Sequence, residues 1–124
     1  MKFRAARHTN HLQPIIDFYC GILDLEILGE FHNHDGYDGI FIGIRGSDWH
    51  LEFTVSAAKP QHQPDEDDLL VFYAESQAEF EHLTERFRLH NIAEIEAKNP
   101  YWKYNGKTYT DPDGFRIVIS KAHL

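Results

Sequence analysis

Apolar and polar residues alternate over several short stretches of this chain, and two longer stretches repeat at helical spacing. Phe3 to His8 reads as a strand, with Phe3, Ala5 and Arg7 on one side and Arg4, Ala6 and His8 on the other. Thr9-Asn10 offers a helix cap, Pro14 suits a first turn, and Leu12, Ile15, Ile16, Tyr19 and Leu23 follow at helical spacing. Leu25 to His32 alternates again. His34 to Gly39 is turn-rich, and Ile40, Ile42 and Ile44 start a further strand. Trp49 to Val55 has the strictest alternation, placing Trp49, Leu51, Phe53 and Val55 opposite His50, Glu52 and Thr54.

The second half starts the series again. Ala57 to Asp68, with two prolines and the run Asp65-Glu66-Asp67-Asp68, reads as a solvated linker. Leu69 to Ala74 is a short strand, and Ser76-Gln77-Ala78-Glu79 has the spacing of a capping box. Phe80, Leu83, Thr84 and Phe87 then mark the buried stripe of a helix. Ile92 to Glu96 is expected as a strand, Asn99 to Gly106 as an aromatic loop, and Lys107 to Thr110 as a strand. Asp111-Pro112-Asp113-Gly114 is a tight turn by composition, feeding the closing strand Phe115 to Ser120. The expected fold class is α+β, with the order βαβββ appearing twice: residues 1–56, a linker 57–68, and residues 69–124.

Totals narrow the function classes. The chain has 124 residues, enough for one modest domain. Its formal charge of −8 argues against nucleic acid, whose binding depends on cationic neutralisation of phosphates. A lone cysteine, Cys20, forbids an internal disulfide and suits a reducing cytoplasm. No stretch is apolar for long enough to span a bilayer, and no export signal opens the sequence. Neither nucleic acid nor a membrane is therefore expected as a partner.

Several motifs in order resemble those of the vicinal-oxygen-chelate superfamily, which includes glyoxalase I, extradiol dioxygenases, fosfomycin-resistance enzymes and bleomycin-resistance proteins. They are Asp17-Phe18-Tyr19, Gly21-Ile22-Leu23-Asp24-Leu25 (with Asp24 where a glycine is more usual), His50-Leu51-Glu52-Phe53-Thr54, and the turn 111–114 with its strand. The resemblance implies two βαβββ modules forming a cupped mixed sheet with helices outside, and a homodimer. It also implies four metal-ligand positions, held here by Arg4, Glu52, Leu69 and Val118. Arginine, leucine and valine offer no lone pair to a metal, so only Glu52 survives and no cofactor is expected.

Candidate ligand-binding residues are Arg4, His8, Tyr37, Tyr73, Trp102 and Val118. An Arg4–Glu52 ion pair could stand in for the missing metal; the alternative is that Arg4 reaches solvent and Glu52 is hydrated. Trp102, in its aromatic loop, suits a lid over a ligand or a subunit contact. Chemistry, if present, would use Glu52 as general base with His50 beside it. A divalent metal relocated to His8, His50 and Glu52 is a further option. Binding without the standard metal is the leading expectation, a lyase, isomerase or dioxygenase its rival. A regulatory module with a filled cavity is the third possibility.

Overall fold

The computed structural model describes all 124 residues, as two compact units, Met1–His62 and Gln63–Leu124. The first contains β1 (Phe3–His8), α1 (Leu12–Tyr19), β2 (Glu26–His34), β3 (Tyr37–Gly43) and β4 (Trp49–Val55). Its sheet runs in the order β1-β4-β3-β2, with β1 parallel to β4 and the remaining pairs antiparallel. The chain therefore crosses by α1 from one sheet edge to the other and then meanders back. One face of the sheet is the core. Ile40, Ile42, Leu51 and Phe53 are buried there with Ile15, Phe18 and Tyr19 of α1.

Register fixes what lies opposite. Arg4 is paired with His50, Ala6 with Glu52, and Phe41 with Glu52 on the other side of β4. The face away from the core consequently carries Arg4, His8, Phe41, His50 and Glu52 together.

The second unit contains β5 (Leu69–Tyr73), α2 (Gln77–Leu89), α3 (Pro100–Asn105), β6 (Gly106–Thr110) and β7 (Arg116–Ser120), with sheet order β5-β7-β6. Here β5 is parallel to β7, as β1 is to β4. Ser76 caps α2 by accepting from the Glu79 amide at 3.0 Å, and the Glu79 carboxylate accepts from the Glu75 amide at 3.1 Å. Phe80, Leu83 and Phe87 are the buried residues of α2, and Phe87 stacks on Tyr109 with ring centroids 3.8 Å apart. The closing turn forms as its composition requires. Asp111 Oδ1 accepts from the amides of Asp113 (2.9 Å) and Phe115 (3.0 Å), and Gly114 takes a φ of 87°.

Three local expectations are corrected. Ile92 to Glu96 makes only one antiparallel bridge, Ile95 to Thr108, on the outer side of β6. Asn91 enters that stretch at φ 58°, and the Glu96 carbonyl accepts from the Arg116 guanidinium at 3.0 Å instead of extending a ladder. The aromatic segment that starts at Asn99 is the helix α3, because Asn99 caps it (Oδ1 to the Tyr101 amide, 3.0 Å) and Pro100 opens it. Finally, His11, not Thr9 or Asn10, holds the N-cap position of α1, without a side-chain capping hydrogen bond, and the helix ends at Tyr19, so Leu23 belongs to the turn that follows.

Two consequences for stability follow. Asp24 has φ 60°, a left-handed conformation that explains why glycine suits this position. Asp24→Val should lower the unfolding free energy by about 1–2 kcal/mol in urea titrations, while Asp24→Gly changes it by less than about 1 kcal/mol. Tyr109, 3% exposed, has its phenol pushed up to about 12, chiefly by burial and secondly by the charge of Glu94. An unfolded tyrosine ionises near pH ~10, so the unfolded state releases its proton first and stability falls as pH rises between the two values. Urea midpoints measured across that window should fall less steeply for Tyr109→Phe.

Candidate functional site

Arg4 is the centre of the open face of the first sheet. Its Nε donates to His50 Nε2 at 3.1 Å, its Nη1 lies 3.5 Å from Glu52 Oε2, and its guanidinium carbon sits 4.9 Å from the centre of the Phe41 ring. His50 meets the same ring edge-on, with centroids 5.5 Å apart and planes at 85°. Guanidinium, imidazole, carboxylate and phenyl ring thus form one assembly, built from β1, β3 and β4 by their register. The Arg4 side chain is 51% exposed and that of Glu52 only 13%, so the carboxylate is sheltered beneath a cation that reaches solvent.

This arrangement fixes roles. Arginine has donors only, so the 3.1 Å contact makes Nε2 of His50 the acceptor and puts the ring proton on Nδ1. The lone pair that a metal or a substrate proton would use at Nε2 is therefore engaged. A depression of about 210 Å³ opens beside the assembly, lined by Arg4, Leu28, Phe41 and His50. Its aromatic wall extends to Phe31, whose ring is 5.8 Å from Phe41. Phe31 lies flat on Gly39, where a Cβ would come within 2.2 Å of its Cζ. Only glycine leaves space for that ring.

The remaining predicted residues fall elsewhere. His8, at the far end of β1, shares its Nε2 with Ser56 Oγ at 3.0 Å and meets the Tyr37 ring edge-on at 6.5 Å. Four residues of strand separate it from Arg4, about 13 Å. Tyr73 and Trp102 come together in the second unit, with ring centroids 6.4 Å apart, and His123 stacks on Tyr73 at 6.0 Å. Trp102 is on α3, not in a loop. Val118 is fully buried, paired with Val71 and Thr108, and presents no surface to a ligand.

The sequence reading missed Leu28, Phe31, Phe41 and Ser56. Phe41 had a signal: Tyr37, Gly39, Phe41 and Gly43 alternate with Ile40 and Ile42, so an aromatic faces away from the core. For Ser56 there was none, since its partner is 48 residues away.

A search with family models matches residues 3–54 to the YycE-like N-terminal domain and 67–121 to the YycE-like C-terminal domain. YycE of Bacillus subtilis (strain 168), itself uncharacterized, is 42% identical over 122 residues, covering 98% of this chain and 88% of the relative. The chain belongs to the YycE-like family. A crystal structure of a YycE protein of unknown function from Bacillus subtilis superposes with a TM-score of 0.89 at 40% identity, covering 99% of this chain and 90% of that one. Glyoxalase I of Leishmania major (TM-score 0.73, 20% identity, 94% and 83% covered) has the same fold. So does the fosfomycin resistance protein FosX of Mesorhizobium loti (TM-score 0.73, 11% identity, 98% and 90% covered). The YycE-like fold is thus the vicinal-oxygen-chelate fold of glyoxalases, bleomycin-resistance proteins and dioxygenases.

The divalent metal implied by that superfamily does not fit the residues present in this YycE-like chain. Arg4 brings a permanent positive charge to Glu52, Val118 is a buried hydrocarbon, and Leu69 has no donor atom. No three His, Cys, Asp or Glu side chains gather as a metal would require. Because half of Arg4 is in water, its pairing with Glu52 is a modest stabiliser. A double-mutant cycle with Arg4→Met and Glu52→Gln should give a coupling near ~1 kcal/mol in denaturant melts, weakening as salt is added.

Proposed function

We propose that this protein binds a small organic molecule on the open face of its first sheet, without a divalent metal at the superfamily positions. The observation that carries this reading is the Arg4 guanidinium, set over Phe41 and held between His50 and Glu52. A cation with spare donors beside two aromatic rings suits a ligand with a flat apolar body and an anionic or hydrogen-bond-accepting end. Tyr37 and His8, farther along the same face, are further ligand-binding residues in this reading, and Tyr73 with Trp102 forms a separate candidate contact within the second unit. Exposed Tyr73, Tyr101 and Tyr104 support a homodimer, and the unpaired Cys20, whose thiol burial pushes up, suits a reducing cytoplasm. No helix is long and apolar enough to cross a membrane.

A second reading, acid–base chemistry by Glu52, draws on its shelter: a carboxylate only 13% exposed is placed for proton transfer once a substrate displaces Arg4. Native mass spectrometry of freshly purified protein separates the two. The expected spectrum shows a co-purifying organic molecule, dimeric protein and no stoichiometric metal, with the organic adduct lost in Arg4→Met. A divalent ion bound one per chain, retained in Arg4→Met and lost in Glu52→Gln, would overturn the metal-free assignment.

A further inference from the structure

We infer that Ser56 is an activated nucleophile, with His8 as its base, able to take the acyl group of a small ester. Parallel pairing of β1 with β4 aligns His8 with Thr54, and the chain leaving β4 then brings Ser56 beside the imidazole. Ser56 Oγ lies 3.0 Å from His8 Nε2, within the reach a base needs to withdraw a hydroxyl proton. The Ala58 carbonyl is a competing acceptor at 3.3 Å, farther than the imidazole. His8 is also fixed from behind, because Nε2 of His62 lies 2.5 Å from its backbone oxygen.

The serine does not face a featureless surface. It forms part of the wall of a second cavity of about 390 Å³, lined also by Thr9, Asn10, His11 and Lys59. That volume matches a small-molecule site. None of the lining residues is acidic, although the chain as a whole carries −8, so negative charge that develops on a bound carbonyl meets no carboxylate. The ammonium of Lys59 and the amide of Asn10 bring donors to the same space.

The chemistry balances with the ester and water alone. His8 Nε2 takes the Ser56 hydroxyl proton as Oγ bonds to the carbonyl carbon, whose π electrons move onto its oxygen. Collapse of that oxyanion breaks the ester C–O bond, and the leaving alkoxide accepts the proton from His8. Water then repeats both steps on the acyl-serine, releasing the acid and restoring the hydroxyl. The cavity differs from the depression at Arg4, and His8 is the one residue this proposal shares with the reading above.

The test treats the full-length protein with p-nitrophenyl acetate and, separately, with a fluorophosphonate probe, and maps modified peptides by mass spectrometry. The expected result is acetyl and phosphonyl groups on Ser56. Ser56→Ala should lose both modifications, and His8→Gln should slow p-nitrophenolate release about a hundredfold. Thermal melts check that each variant is folded. If one is not, the mapped position in the unmodified sequence decides alone. Groups found only on lysines, the N-terminus or another hydroxyl, or undiminished release by folded Ser56→Ala, would overturn the assignment.

Discussion

Parallel pairing between the first and last strands of each unit is the constraint on which the rest depends. An antiparallel hairpin needs two residues to turn, whereas a parallel pair needs a crossover, and here it encloses a helix each time. In the first unit β1 meets β4 across some 46 residues of chain, and that single register puts Arg4 against His50 and Ala6 against Glu52. A one-residue slip of β4 would send His50 and Glu52 into the core and Leu51 and Phe53 to the open face, away from Arg4. The hydrophobic cost of that exchange, not the polar contacts themselves, keeps the assembly in place.

Within that register the Arg4 guanidinium faces two acceptors, and its chemistry differs from that of a metal ion. A divalent ion collects lone pairs; Arg4 supplies protons to them, at 3.1 Å to His50 and 3.5 Å to Glu52. Removing a metal from a sheltered site would leave a carboxylate uncompensated, and arginine restores the charge balance without being able to lose its proton. The exchange has a chemical consequence. A guanidinium cannot lower the pKa of water or polarise a carbonyl as a Lewis acid does, but it offers planar donors to an incoming acceptor.

Trp49–Val55 was legible because its alternation is set by burial on one face, Leu51 and Phe53 inward, and burial is written in residue type. The 111–114 turn was legible for another reason: its hydrogen bonds close within four residues. Ile92–Glu96 misled because β-branched and apolar residues state a preference for extended backbone, not the presence of a partner. Competition for the Glu96 carbonyl by Arg116 was decided twenty residues away. At the site, the ion pair of Arg4 with Glu52 was anticipated from resemblance, whereas His50 as its acceptor and Phe41 as its platform required the register. Ser56 carried no local signal at all.

The two units share a parallel pairing of first and last strands yet differ in element order and in the burial of the sheet's second face. In the second sheet Val118, Thr108 and Ser120 share the face turned away from α2, and all three are buried. Thr108 Oγ1 is enclosed there without a protein hydrogen-bond partner. The corresponding face of the first sheet keeps arginine, histidine and glutamate partly in water, with an aromatic floor beneath them. Around Arg4, therefore, polar groups are both held by their neighbours and partly reachable from solvent.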